Sequence, residues 1–371
     1  ISFLGELMFP YTRYFVLMMT GVLLAFSLAV TASPRVTTIL EELDRPWSVD
    51  WISDKEVLIT ERGGRLLLIN LASNTRQTIN NVPAFTARGQ GGLLDVRVRR
   101  IDNDLWVYLA LSGTRSDNTT GTELWRGRLI DDQLLDVEQL FSQSLTTDSG
   151  HHFGGRLALT DQHVFLTIGD RGDRERAQDP TDTAGSVVRL RLDGSLPPDN
   201  PWVDDSQYRP ELYSIGHRNP QGLAFDADGV LYAHEHGPQG GDEINRIEPG
   251  LNYGWPTITY GRNYGIGTAI GEGVAKEGLE QPLLHWNPSI APSGMAFSIG
   301  QGFPEWQNSL FVGALKAQML VRLVFEDGQF KQKERLLQNS VGRIRDVRQG
   351  PDGAIYLLTD STRGKLIRVT P

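Results

Sequence analysis

Gln162-His163-Val164-Phe165-Leu166-Thr167 and, after a polar interval, Val187-Val188-Arg189-Leu190 read as two β-strands, because both runs are rich in β-branched and aromatic residues and are bounded by turn formers. The same unit recurs on either side of it. Val57-Leu58-Ile59-Thr60 leads to Arg65-Leu66-Leu67-Leu68-Ile69, and Leu105-Trp106-Val107-Tyr108 leads to Leu124-Trp125. Downstream, Val230-Leu231-Tyr232-Ala233 leads to Glu243-Ile244-Asn245-Arg246-Ile247, Leu310-Phe311-Val312 to Leu320-Val321-Arg322-Leu323, and Ala354-Ile355-Tyr356-Leu357 to Leu366-Ile367-Arg368-Val369. The steps from Val57 through Leu105, Val164, Leu231, Leu310 and Ile355 are 48, 59, 67, 79 and 45 residues. Six such units predict an all-β fold, a six-bladed β-propeller of four-stranded antiparallel blades, in which radial repetition protects the strand edges. About 56 residues per unit exceeds the roughly 40–45 of a minimal blade, so the surplus belongs to loops, most of it between residues 164 and 310. Loops on one rim of a rigid scaffold are where function concentrates. The rival arrangement, two β-sandwiches, lacks support, since no linker rich in Pro, Ser or charge divides the chain.

Composition narrows the chemistry. The chain has 371 residues, 36 Lys+Arg against 45 Asp+Glu, a net charge of -9 and no cysteine. An acidic protein without a basic face is a poor partner for nucleic acid. The missing thiols exclude disulfides, thiolate metal sites and Cys nucleophiles. Arg13, the apolar run from Tyr14 to Val30 and the small-residue pattern Val30-Thr31-Ala32 read as a signal peptide over residues 1–32, leaving 33–371 as a single propeller. This predicts export to the periplasm, with no stable membrane insertion after cleavage.

Four stretches could carry chemistry. His152, in Ser149-Gly150-His151-His152-Phe153-Gly154-Gly155, sits among glycines, where an imidazole can face a cavity and take a proton near neutral pH. In Gly216-His217-Arg218-Asn219-Pro220-Gln221-Gly222, Pro220 stiffens the approach to a strand, and a fixed Arg218 suits an anionic or carbonyl-bearing ligand as well as an inter-blade ion pair. His234 and His236 share a strand face, but no third zinc ligand lies nearby, whereas Gly237 to Glu243 offers hard oxygen donors suited to calcium. Arg343 and Arg345 alternate onto one face, a cationic pair that favours a carboxylate or phosphate ligand. No dinucleotide fingerprint, phosphate loop or nucleophile elbow is present.

Together these stretches resemble the soluble quinoprotein glucose and sorbosone dehydrogenases, most closely the aldose sugar dehydrogenases dependent on pyrroloquinoline quinone (PQQ). The likeness runs from about Leu43 to Val369. It rests on Gly89-Gln90-Gly91-Gly92-Leu93-Leu94-Asp95, His152-Phe153-Gly154-Gly155-Arg156-Leu157, His217 to Gly222, Glu235-His236-Gly237-Pro238, Gly241 to Asn245, Asn252-Tyr253-Gly254-Trp255-Pro256, and Arg343 to Val347. The resemblance implies a six-bladed propeller that oxidises the C1 hydroxyl of an aldose to a lactone by hydride transfer to PQQ and then reduces an external electron acceptor. It makes His152 the general base and Arg218 the group that steadies charge on the quinone carbonyl, with Asn219 assisting. Lys316, Arg343 and Arg345 would pair with the cofactor carboxylates, and Gln90, Tyr264 and Ala314 would line the same pocket. The carbonyls of Gly237 and Pro238 would hold a calcium ion at the quinone, and Glu243 with the carbonyl of Tyr253 a second, structural calcium.

Two positions depart from the glucose-oxidising members. His151 stands where those have an acid before the base, and Arg171 replaces a glutamine in Gly169-Asp170-Arg171-Gly172, both at positions that face the sugar in those relatives. The alternatives are a calcium-dependent propeller lactonase, which would need carboxylates around one metal, and a non-catalytic sugar- or protein-binding propeller, which could dispense with His152.

Overall fold

A computed structural model describes residues 33–300 and 302–371. The leader expected over residues 1–32 lies outside the described residues. Twenty-four strands form six separate four-stranded sheets, each fully antiparallel, which is the six-bladed propeller expected from the repeat. Two short 3₁₀ turns, Arg174–Gln178 and Pro304–Trp306, are the helical elements among the described residues, and none is long and apolar enough to cross a membrane.

The two runs of each repeat are the middle strands of each blade: His163–Ile168 pairs with Ser186–Arg191, and Ile355–Thr359 with Gly364–Thr370. Middle strands are covered on both faces by neighbouring blades, so they read as continuous apolar runs. In Ile355–Thr359 and Leu310–Ala314 every residue is buried. Outer strands face solvent. Thr75–Thr78 is exposed throughout, and Gln329–Leu336 buries only Phe330. One blade is built from both ends of the described chain: Arg35–Leu43 pairs with Gly364–Thr370 as the fourth strand beside Ile344–Gln349 and Ile355–Thr359. This pairing closes the ring and leaves no blade with a missing edge.

The first strand of each blade lies next to the first strand of its neighbours: Pro46–Ser53, Leu93–Ile101, Leu157–Leu159, Pro220–Phe225, Pro292–Phe297 and Ile344–Gln349. These six inner strands surround the axis, which is sealed by charge rather than by hydrocarbon. Arg156 donates to Asp346 at 2.7 Å, Arg348 donates to Asp95 at 2.7 Å and faces Asp346 at 3.2 Å, and all four side chains are buried. Asp95 also accepts from the Ser48 hydroxyl at 2.5 Å and from the Leu157 N–H at 2.8 Å, tying three blades to one carboxylate. Burial opposes its charge, yet Arg348, Arg97 and Arg156 bring its pKa down to about 2.

Removing one partner of such a network strands the others without compensation. Asp95→Ala is therefore expected to cost about 3–5 kcal/mol in a denaturant titration, and a loss under about 1 kcal/mol would show that the plug is dispensable.

Candidate functional site

His152 sits in a tight loop with φ 51°, a left-handed conformation that costs a non-glycine residue about 1–2 kcal/mol. The loop is locked on several sides. Gln90 Oε1 accepts the His152 N–H at 2.8 Å, and Gly89 packs so closely that a Cβ there would lie 2.3 Å from the Gly150 carbonyl oxygen. Gly169 is equally constrained, with a Cβ position 2.1 Å from the His152 carbonyl oxygen. These approaches explain why glycine stands at both positions, which pack on the loop from distant points in the sequence.

The imidazole Nδ1 lies 2.6 Å from Asp170 Oδ1, a partner that sequence alone did not nominate. Asp170 also accepts the Gly172 N–H at 2.8 Å and the Trp255 indole N–H at 2.9 Å. Burial works against its charge, but these donors and the positive Arg218 hold its carboxyl below the usual range. An ionised carboxylate can only accept, so Nδ1 must carry the proton and Nε2 is left with its lone pair. Burial, with Arg218 and His151 nearby, lowers the pKa of His152 below the ordinary histidine value despite the opposing pull of Asp170. The result is a neutral, oriented imidazole with a free basic nitrogen.

Arg171, expected to face a sugar, turns inward instead. It is 1% exposed, its guanidinium lies 3.4 Å from the Phe153 ring centroid, and it donates to the carbonyls of His151 and Ser149 and to the Thr120 hydroxyl. Its backbone is also left-handed, with φ 59°. Burial brings its pKa down to about 9, still charged near neutrality. Position 171 thus clamps residues 149–152 from below.

Arg218 and Asn219 approach from the next blade. Glu235 holds the connector by accepting the Arg218 N–H at 2.5 Å and contacting His217 Nδ1 at 2.9 Å. The Arg218 guanidinium donates to the carbonyls of His236 and Gly237, both at 3.0 Å, so the carbonyl assigned to calcium by resemblance already converges on a cation. Asp242 fixes this turn, accepting from the N–H groups of Gly237, Ile290 and Ala291. His234 is buried and His236 half-buried, and desolvation pushes His236 down to about 4. Among the described residues no group of three or more His, Asp or Glu side chains is placed to hold a metal.

A cavity of 400 Å³ brings many of these residues together: Gln90, Asn219, Arg343 and Arg345 line it with Arg45, Arg62, Trp47, Gln221 and Asp360. Sequence had missed Arg45, Arg62 and Asp360. Asp360 lies between the arginine pair, 2.9 Å from Arg343 Nη2 and 3.6 Å from Arg345 Nη2, so part of the anion the pair seemed to demand comes from the protein. Four arginines against one aspartate still leave the lining cationic. Lys316, Tyr264, Gly237 and Pro238 line an adjoining cavity of 550 Å³ that shares His236 and Ala291 with the first. Ala314 joins neither cavity. It is fully buried in the core between the fourth and fifth repeats because strand alternation turns it inward, and Leu315 is the residue that reaches the cavity wall. Glu243 and Tyr253 border a third cavity of about 10 Å³ with Glu235 and Arg218. There, burial and the negative charge of Glu235 raise the Glu243 carboxyl well above its ordinary pKa.

Comparison with known proteins agrees with this geometry. Residues 43–368 match the family model of glucose/sorbosone dehydrogenases. The chain is 40% identical over 361 residues to the aldose sugar dehydrogenase YliI of Escherichia coli K12, covering 94% of this chain and 97% of that one. A crystal structure of a glucose dehydrogenase superposes with a TM-score of 0.88 at 43% identity, covering 91% of this chain and 100% of the other. The PQQ-bound form of an aldose sugar dehydrogenase from Streptomyces coelicolor superposes with a TM-score of 0.75 at 25% identity, covering 91% and 99%.

The clamp beneath the His152 loop is testable without any ligand. Arg171→Ala severs the hydrogen bonds of a buried charged group and is expected to cost about 2–4 kcal/mol, with faster amide exchange confined to residues 149–152. Unchanged exchange in that loop would show that Arg171 does not hold it.

Proposed function

The chain belongs to the glucose/sorbosone dehydrogenase family, and from that membership and the site geometry we propose a quinoprotein that oxidises the C1 hydroxyl of an aldose to the lactone. The observation that carries the reading is an oriented neutral base next to a cationic cavity: His152 is not itself in the lining, but its N–H donates to Gln90 and it directly precedes Phe153 and Gly154, all three of which line it. The residues fit PQQ, a planar tricarboxylate: four arginines line the cavity, and Arg343 and Arg345 share a single carboxylate between them. Lys316, from the adjoining cavity, would complete the carboxylate contacts. When bound, PQQ supplies the two-electron acceptor for the hydride leaving C1. His152 takes the hydroxyl proton at Nε2, and Asp170 stabilises the imidazolium that forms. Arg218 places positive charge where negative charge develops, and Asn219 and Gln90 help to fix the cofactor. Electrons then leave for an external acceptor.

Calcium fits as a further component. A carbonyl oxygen has two lone pairs, so Gly237 can serve Arg218 and a metal together, with Pro238 beside it. At the second site, Glu243 is a half-buried carboxyl next to Glu235 beside a cavity of about 10 Å³, the situation a hard cation relieves; Tyr253 would add its carbonyl. We place the mature propeller, residues 33–371, in the periplasm after removal of the leader. The lactonase alternative lacks the carboxylate cluster its metal requires among the described residues. A non-catalytic propeller has no use for the His152–Asp170 pair.

Apo protein supplied with PQQ and calcium is expected to reduce an artificial electron dye with glucose or another aldose, and His152→Ala to lose about 10²–10⁴ in kcat while retaining the cofactor. No turnover on a broad aldose panel, with no quinone bound by absorbance, would sink the reading. The pH profile offers a second check. The base works unprotonated and its pKa is lowered, so activity should rise with pH along an acid limb centred below the ordinary histidine value. Asp170 raises that pKa, so Asp170→Asn should move the limb to lower pH while reducing kcat. A limb that moves upward contradicts the assignment.

A further inference from the structure

The 400 Å³ cavity lined by Gln90 and Arg343 takes residues from the N-terminal ends of inner strands or from just before them, such as Trp47, Asn219 and Ala291. Residues further along the same six strands line a separate cavity of 320 Å³ at the opposite mouth. The Arg156–Asp346–Arg348–Asp95 plug stands between the two, so neither the sugar nor the cofactor has a use for the far mouth.

Its walls are mixed: Trp51, Phe225, Met295 and Phe297 supply an apolar side, and Asp50, Arg97, Arg99, Arg348 and Gln349 a polar one. Its polar centre is Arg97. The Arg97 Nε donates to the Leu157 carbonyl at 3.0 Å, but among the described residues its two Nη groups make no hydrogen bond and no carboxylate lies within 4.0 Å. The neighbouring Arg348 is held by ion pairs, with Nε and Nη2 engaged by Ser48, Val49, Asp95 and Asp346. Asp50, the carboxylate that shares the cavity, directs one oxygen to the Val98 N–H at 2.8 Å and the other to the Trp51 N–H at 3.0 Å, so it answers backbone donors rather than the guanidinium. Asp50 and Asp95 act on Arg97 only at longer range. A guanidinium with two unused donor groups in a cavity that has one apolar side matches a ligand with one carboxylate and an apolar body.

We propose that the far mouth is a binding site for a small monocarboxylate carrying an aryl or short acyl group, with the carboxylate on the Nη groups of Arg97 and the body among Trp51, Phe225, Met295 and Phe297. The site is independent of the dehydrogenase reading. Its volume, at the lower end for ligand pockets, suits a body of about six to eight carbons.

Calorimetric titration of the full chain with phenylacetate and hexanoate, each against its neutral amide, tests the assignment. At least one acid is expected to bind with a Kd below about 1 mM and about tenfold or more tighter than its amide. Which acid wins separates an aryl from an alkyl occupant. Arg97→Gln should weaken the acid about tenfold and leave the amide unchanged. If that variant does not fold, Ala224→Phe, which fills the cavity from its apolar wall, should abolish binding in a folded protein. Neither acid binding up to about 10 mM, acid and amide binding alike, or acid binding that survives Ala224→Phe would each overturn the proposal.

Discussion

The rest of the molecule depends on the four charges buried across the axis. Six strands that converge on a line cannot fill the centre with hydrocarbon side chains of matched length, and here Arg156, Asp346, Arg348 and Asp95 fill it with ion pairs that cross between blades. The desolvation of such a network is costly, so its value lies in geometry that only one arrangement satisfies. Arg156 shows how far that geometry reaches. Its Nε donates to the Gln221 carbonyl at 2.7 Å, one Nη donates to the Arg345 carbonyl at 2.9 Å, and its guanidinium lies 4.0 Å from the Trp47 ring centroid. Gln221, Arg345 and Trp47 all line the 400 Å³ cavity, so the plug is also its floor.

On that floor the chain sets two opposing electrostatic demands. Beside the cavity, Asp170 keeps the His152 imidazole neutral and oriented, while the cavity wall gathers arginines inside an acidic protein. Burial serves both, since it disfavours imidazolium and strengthens the attraction between arginines and an anionic ligand. The clamp by Arg171 keeps the base-bearing loop in a conformation the backbone would not choose alone.

The parts legible in sequence were those with a local signature. Middle strands such as His163–Ile168 are apolar because they are covered on both faces, and their recurrence revealed the blade count. Outer strands such as Thr75–Thr78 carry no such pattern, and inner strands such as Leu157–Leu159 are too short to announce themselves. The same distinction holds at the site. His152, Arg218 and the arginine pair stood out beside glycine, proline or each other. Asp170 acts on His152 across 18 residues and Asp360 on Arg343 across 17, relations that only the fold creates. Arg171 reads differently in the fold because sequence gives a side chain's identity but not its direction, and here the guanidinium turns onto Phe153 and the carbonyls of residues 149 and 151. Ala314 ends its strand inside the core, and the next residue, Leu315, is the one at the cavity wall.

The central claim is that this cavity binds PQQ with its carboxylates on the arginine wall and its reactive carbonyl toward Arg218 and His152. A crystal structure of the protein loaded with PQQ and calcium tests this most directly. The account predicts cofactor carboxylates within hydrogen-bond distance of Arg343 and Arg345, with His152 Nε2 open to the sugar side. Cofactor bound elsewhere, or absent with Asp360 still bridging the two arginines, would contradict it.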